Sequence, residues 1–231
     1  MQRPQIPNER RSTALPKGMK SNHPSVLVVP KTGVDCSLAL GDIGIFDEKD
    51  VEAFGNIPLL HRILPGNHDQ PALIKTIPNC IGYSGYIKEM EMFYVGGGFS
   101  IDRKYRTFKV DWWPDEELST QELQELIIQF ADVKPRIMVS HECPTIAKAA
   151  AITNIDKLGI VSRTEAALQA MFEDWQVDLW VFAHMHSRTE QKFGKTRFIG
   201  LNEMKYGPLT EAMFEIRGLH WPERLLKPKN S

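Results

Sequence analysis

The sequence has 231 residues, of which 42% are hydrophobic and 25% are charged, a composition that is ordinary for a soluble globular protein. This length is enough for one α/β domain with a sizeable core and too short for two. The formal net charge is -1, so no global positive field attracts the chain to nucleic acid or to an anionic membrane surface. No apolar run approaches the ~20 residues of a membrane span.

The N-terminal segment is basic and rich in proline, and it has no apolar core of the kind that secretory signals carry. We expect residues 1–24 to form a flexible leader or the remnant of a first strand, and residues 25–231 to form the folded domain. The chain has three cysteines, and none of them lies in a CxxC pair. An odd number without such a pair is typical of a reducing compartment, which favours a cytoplasmic protein.

Short apolar strands alternate with helical patterns along the chain. Two helices are expected, at 119–131 and 162–175. Ser119 is the expected N-cap of the first helix, with Glu122 completing a capping box. The expected strands, in chain order, are 36–40, an apolar segment at 57–64, 92–96, 136–139, 178–182, 197–201 and 212–216.

Polar clusters follow the carboxyl ends of these strands. They are Gly41-Asp42, Gly66-Asn67-His68-Asp69, Ser140-His141 and His184-Met185-His186. Loops at that edge of an open α/β sheet converge while the sheet stays rigid, so we expect a ligand site there. The clusters offer carboxylate, amide oxygen and imidazole but no thiolate, a set that suits Mn, Fe, Zn, Ni or Co. Two such metals ~3.5–4 Å apart would clamp the attacking and leaving oxygens of an in-line phosphoryl displacement.

The order of these clusters resembles the calcineurin-like metallophosphoesterase superfamily over residues 38–202, and residues 97–113 look like those of its small phage and bacterial members. The resemblance implies an α/β fold in which two mixed β-sheets pack face to face between helices, an αββα sandwich. It also implies hydrolysis of phosphate mono- or diesters by a metal-bound hydroxide at a dinuclear centre, with manganese favoured. The substrate would be a phosphorylated small molecule or protein. Nucleic acid is possible as a partner but is not favoured, because the charge is balanced, and no membrane is expected.

The same resemblance assigns a role to each matching residue. Asp42 would bridge two divalent cations. His68 would donate a proton to the leaving oxygen or stabilise it, and Asp69 would orient His68. The remaining ligands would be Asn67, His141 and His184 on one metal and His186 on the other.

Two arginines follow the triple glycine at 96–98. A guanidinium can bind a phosphate through two parallel hydrogen bonds, which makes Arg103 and Arg106 candidate substrate-binding residues. The alternative is a surface loop held by ion pairs. Trp112 and Trp113 come next, and we expect them to anchor a packed loop rather than to form a platform for a base or sugar.

The sequence departs from the family pattern in two places. Ala183 stands where the family usually has glycine. More seriously, the Asp-x-His motif that normally opens the family is absent, and the nearest candidate, Ser21-Asn22-His23, lacks the carboxylate. Three hypotheses stay open: the first strand is missing from this sequence, His23 is a remaining ligand in a weakened site, or a single metal is held by Asp42, Asn67, His141 and His184. The alternatives to an active phosphoesterase are a degraded member that binds a partner, and a nuclease.

Overall fold

The computed structural model describes residues 37–151, 159–202 and 221–226. The expected leader at 1–24, the candidate ligand His23 and the expected strand at 212–216 lie outside these residues.

The described residues form eight strands and five α-helices. The strands are β1 (Ser37–Leu40), β2 (His61–Leu64), β3 (Ser84–Ile87), β4 (Met92–Val95), β5 (Ile137–Ser140), β6 (Leu179–Phe182), β7 (Thr189–Phe193) and β8 (Thr196–Gly200). The helices are α1 (Glu48–Gly55), α2 (Pro71–Ile74), α3 (Thr120–Val133), α4 (Thr145–Ala151) and α5 (Arg163–Asp174). None of these helices is long and apolar enough to cross a membrane.

Six strands form one mixed sheet in the order β3-β4-β5-β6-β8-β7. Its four central strands are parallel, and β3 and β7 run antiparallel at the two edges. A second sheet pairs β1 with β2 in parallel. The expectation of a mixed α/β fold with two sheets and flanking helices is therefore confirmed.

The register places the carboxyl ends of the central strands side by side. Ser140, the last residue of β5, pairs with Val95 of β4 and Phe182 of β6, and Phe182 pairs with Gly200 of β8. The loops that follow these strands therefore leave the sheet in one row, which is the edge where the sequence predicted a site.

The central strands read as continuous apolar runs because both of their faces are buried. Met92 and Tyr94 of β4 share a buried cluster with Leu38, Leu40 and Leu64 of the small sheet, so the two sheets enclose one core. The alternate residues face the helices. Phe93 of β4 meets Phe130 of α3 edge to face at 5.3 Å between ring centroids.

The two expected helices are present, and the first has its predicted cap. The Ser119 hydroxyl accepts a hydrogen bond from the Glu122 amide, and the Glu122 carboxylate accepts one from the Ser119 amide. Ser162 caps α5 by accepting from the Glu165 amide. Both interactions satisfy backbone donors that the first turn of a helix leaves unpaired.

The sequence analysis missed the two edge strands of the large sheet. Residues of β7 alternate between half-buried and exposed, so they form no apolar run. β3 contains Ser84 and Gly85, which are poor strand formers. The strand expected within 57–64 begins only at His61, because the residues before it form a turn in which the His61 amide donates to the Pro58 carbonyl at 2.9 Å.

Candidate metal centre

The loop after β1 takes a sharp, left-handed path. Gly41 has φ +94° and Asp42 has φ +55°, a conformation that is uncommon for a residue with a side chain. A Cβ atom on Gly41 would lie 2.4 Å from Nδ1 of His141 and 2.6 Å from the Cα of Gly66. Only glycine fits there, and its absence of a side chain lets Asp42 approach the loops after β2 and β5.

The loop after β2 makes an equally close approach. A Cβ atom on Gly66 would lie 2.2 Å from Oδ1 of Asp42 and 2.3 Å from its backbone nitrogen. The two glycines therefore allow the two loops to pack backbone against backbone. This contact is the physical reason for the glycine at the start of each of these two polar clusters.

The buried carboxylate of Asp69 joins the same two loops. Its Oδ2 accepts hydrogen bonds from the amides of Asp42 (2.9 Å) and Gly66 (2.8 Å). Its Oδ1 accepts from the amides of Gly44 (2.9 Å) and Ile45 (3.3 Å). Burial and the charge of Asp42 raise the pKa of Asp69 to about 6, although the amide donors oppose this shift. The four hydrogen bonds to this carboxyl group connect the loop after β1 to the loop after β2.

Three loops bring a carboxylate and two imidazoles together. One ligand atom from each of Asp42, His141 and His184 lies within 4.8 Å of the others, and all three residues are buried. The imidazole rings of His141 and His184 are 5.0 Å apart between centroids. Asn67 joins the group, because its Oδ1 lies 2.9 Å from Nε2 of His141. The loops after β1, β2, β5 and β6 thus converge on one point.

The imidazole of His141 is oriented for a ligand role. Its Nδ1 lies 2.5 Å from the carbonyl oxygen of Leu40, which can only accept, so Nδ1 carries the hydrogen. Its Nε2 faces Oδ1 of Asn67 and Oδ1 of Asp42, the latter at 3.4 Å. A backbone acceptor on one nitrogen with the other nitrogen turned towards oxygen ligands is the usual arrangement of metal-binding histidines.

The neighbouring imidazoles favour the ionised form of the Asp42 carboxyl group. Burial opposes ionisation of Asp42, but the charges of His141, His68 and His184, with a hydrogen bond from His141, hold the pKa of this carboxyl well below its usual value. In turn, burial acts against the protonated form of His141, but Asp42 prevails and raises its pKa. A buried carboxylate that stays ionised beside imidazoles fits a divalent cation.

In the loop after β6, the two histidines themselves have left-handed backbone conformations. His184 has φ +59° and His186 has φ +55°, whereas Ala183 is not among the described residues with positive φ. The alanine in place of the family's glycine therefore requires no unusual backbone. His186 is half-buried, and it does not belong to the close group formed by Asp42, His141 and His184 among the described residues.

His68 lies beside the carboxylate group. Its backbone amide donates to Oδ1 of Asp42 at 2.9 Å, its side chain is partly exposed, and its charge contributes to the low pKa of Asp42. The predicted roles of His68 and Asp69 in proton transfer stay predictions.

A buried chain of polar side chains lies behind Asn67, and the sequence analysis did not find it. The side-chain nitrogen Nδ2 of Asn67 donates to Oγ of Ser100 at 2.9 Å. Nη1 of Arg106 donates to the same oxygen at 2.6 Å and lies 3.6 Å from Oε2 of Glu116. Ser100 therefore accepts from the nitrogen end of the amide, which leaves Oδ1 of Asn67 facing His141. The only sequence signal was a serine and an arginine after the triple glycine.

The two candidate phosphate-binding arginines lie in different environments. The Arg106 side chain is only 7% exposed and is held by Ser100, Glu116 and Asp102. Arg103 is exposed, and its guanidinium carbon lies 4.7 Å from the ring centroid of Phe99. Burial thus favours a supporting role for Arg106, whereas Arg103 is accessible to a ligand.

Two neighbouring features complete the surroundings of the site. Glu142, directly after His141, is buried and accepts from the hydroxyl of Ser162 at 2.9 and 3.0 Å. Burial raises the pKa of Glu142 to about 7. Trp113 is buried and the indole of Trp112 donates to Oε1 of Glu116 at 3.1 Å, as expected of a packed loop anchor.

One family profile agrees with the residues found at the site. The profile of the family described as Calcineurin-like phosphoesterase matches residues 24–188. A solved structure, the Thermus thermophilus sulfate thiohydrolase SoxB in complex with glycerol, aligns with 16% identity and a TM-score of 0.38. The alignment covers 74% of this chain, and this chain spans 28% of the length of that one. The comparison with curated proteins gave no match.

Proposed function

Because the chain belongs to the calcineurin-like phosphoesterase family, we propose that it hydrolyses phosphate mono- or diesters at a metal centre held by Asp42, Asn67, His141 and His184. One observation carries the proposal. The ligand atoms of Asp42, His141 and His184, which follow three different strands, lie within 4.8 Å of one another.

The chemistry divides between the cation and the chain. A divalent cation, with manganese as the first choice, would polarise the phosphoryl oxygen and acidify a water. The pKa of Asp42, held well below its usual value by the neighbouring imidazoles, favours a negatively charged ligand at this position. His68, whose side chain is partly exposed and whose backbone amide bonds to Asp42, would give a proton to the leaving oxygen. Asp69 acts indirectly, because its four amide donors hold the loops that carry Asp42 and Asn67.

The proposal also includes a second cation, next to the first. Asp42 would bridge it to the first, and His186 would be one of its ligands. Metal analysis of the manganese-loaded protein distinguishes the cases, since two ions per chain support the dinuclear centre and one ion supports a single site at the four converging residues.

The test is hydrolysis of para-nitrophenyl phosphate and its bis-ester. We expect activity after manganese loading, loss of activity with EDTA, and a loss of at least about 100-fold in Asp42→Asn and in His184→Ala. Asp178→Asn is the matched control, because Asp178 is exposed and pairs with Arg136 at the other end of β6. Full activity in both site variants would refute the proposal.

The missing Asp-x-His motif supports one alternative, a family member that has lost catalysis and binds a partner instead. That alternative predicts less than about one metal per chain after reconstitution and no turnover of either ester. Binding of one or more ions together with turnover would exclude it.

A further inference from the structure

Residues 101–113 form an arm that begins at the candidate metal centre. Just before the arm, a Cβ atom on Gly98 would lie 3.3 Å from the His141 ring, so the backbone passes directly over that imidazole. Ser100 bonds to Asn67, and Arg106 from within the arm bonds to Ser100. Whatever binds to the arm is therefore adjacent to the metal ligands.

The tip of the arm has a fixed backbone. The amides of Val110, Asp111 and Trp112 all donate to the carbonyl oxygen of Thr107, at 3.0, 3.1 and 3.3 Å. The amide of Lys109, which has φ +60°, donates to the carbonyl of Trp112 at 2.8 Å. A loop with this many internal hydrogen bonds holds its backbone in place before any ligand arrives, which lowers the entropy cost of binding.

This ordered tip presents large apolar side chains to solvent. Tyr105 is 80% exposed, Phe108 is 54% exposed and Val110 is 65% exposed. Single exposed apolar residues are common on protein surfaces, but three within six positions on a rigid loop indicate a binding surface.

Each exposed ring has a cation beside it. Nζ of Lys104 lies 4.8 Å from the ring centroid of Tyr105, and Nζ of Lys109 lies 5.4 Å from that of Phe108. Arg103 adds a third exposed cation near the root of the arm. The arm therefore alternates flat rings with positive charge, although the whole chain has a formal net charge of -1.

We infer that this arm binds single-stranded nucleic acid. The phosphate ester presented to the metal centre would then be part of a polynucleotide, a consequence that rests on the proposed function. A single strand offers what the arm matches, namely repeated phosphates for the cations and unpaired bases that stack on aromatic rings. A phosphorylated protein offers the charge without the bases. An anionic membrane would attract the cations and take up the apolar side chains, but it offers no flat bases for the rings to stack on.

The experiment measures binding without turnover. The full chain, in EDTA, is titrated into a fluorescein-labelled oligothymidylate of twenty nucleotides and into a labelled abasic strand of the same length. Fluorescence anisotropy measures binding. Circular dichroism checks that the chain is folded. We expect roughly tenfold tighter binding of the oligothymidylate, because each base–aromatic stack contributes separately from charge.

Two double variants separate stacking from charge. Tyr105→Ala with Phe108→Ala should weaken binding of the oligothymidylate about tenfold or more and leave the abasic strand unaffected. Lys104→Gln with Lys109→Gln should weaken binding of both strands and flatten the dependence on salt. Ile128→Ala, which removes a 64% exposed side chain from α3, is the matched control and should change neither affinity.

Three outcomes would overturn the inference. The first is that neither strand binds at low salt. The second is equal affinity for the oligothymidylate and the abasic strand. The third is that phosphatidylserine vesicles bind in a way that requires Tyr105 and Phe108, while the oligothymidylate does not bind. Because EDTA removes hydrolysis from the measurement, failure of the arm to bind and failure of the site to hydrolyse esters are recorded separately.

Discussion

Individual residues at the site hold conformations that ordinary side chains avoid. Six non-glycine residues among those described have positive φ, and three of them are Asp42, His184 and His186. Each such residue costs on the order of 1–3 kcal/mol, so surrounding contacts must maintain it. For Asp42 those contacts include the bond from its amide to Asp69. Strain concentrated on metal-ligand candidates indicates that the fold supports the site at the expense of local stability.

Replacement of Gly66 tests this support directly. Gly66→Ala places a methyl group where Asp42 now lies, so we expect Asp42 to move, a loss of roughly 1–3 kcal/mol in the free energy of unfolding, and a large loss of manganese affinity. Isothermal titration with manganese and urea unfolding measure the two effects.

Gly55→Ala is the control for that substitution. Gly55 ends α1, and a Cβ atom there would meet no atom within 4 Å. We expect manganese affinity to stay unchanged in this variant. Equal manganese affinity in both glycine variants would contradict the proposed packing of the two loops.

Among the strands, burial determines which ones could be predicted from the sequence. The strands β4, β5 and β6 are buried on both faces and appear as apolar runs. The capping box of Ser119 and Glu122 marks the start of α3. Edge strands lack such runs, and β7 was missed for that reason. The polar clusters at strand ends are local in sequence and were found. The bond between Arg106 and Ser100 was not, because nothing in the local pattern shows that the guanidinium turns inward.

The two N-cap serines should differ in their effect on stability. Ser119→Ala removes an exposed cap and should cost about 1 kcal/mol of the free energy of unfolding. Ser162→Ala removes a cap and also the hydroxyl that donates to buried Glu142, so we expect a loss of roughly 2–4 kcal/mol. Urea unfolding followed by circular dichroism compares the two. Equal losses would show that the bond between Ser162 and Glu142 contributes nothing.

For the whole molecule, the site depends on the alignment of two separate sheets. Asp42 and Asn67 follow strands of the small sheet, whereas His141 and His184 follow strands of the large one. The shared apolar core between the sheets sets their relative position. Sequence analysis identified the ligand candidates, but the distances between them follow from packing of residues that are far apart in the chain.

Global stability should also depend on pH through buried Glu116. Burial raises the pKa of Glu116 to about 7, against hydrogen bonds from Ser100 and the charge of Arg106. Since the folded chain keeps this proton at pH values where the unfolded chain releases it, stability is greatest at low pH in this window and falls as pH rises from about 4.5 to about 7.

The variant Glu116→Gln should lack this dependence. Relative to the variant, the wild type should lose on the order of 2–3 kcal/mol of unfolding free energy between pH 5 and pH 8. Urea unfolding at several pH values measures the difference, and Glu173→Gln, at an exposed position on α5, is the matched control. A constant difference between wild type and Glu116→Gln across this range would disprove the linkage.

The close packing of Gly41 and Gly66 limits how this chain can diversify. Neither position has room for a side chain, because Asp42 and His141 already fill the adjacent space. We therefore expect changes in substrate preference to arise at positions other than these two glycines. His68 is partly exposed and most residues of the arm are exposed, so substitutions there meet less steric resistance.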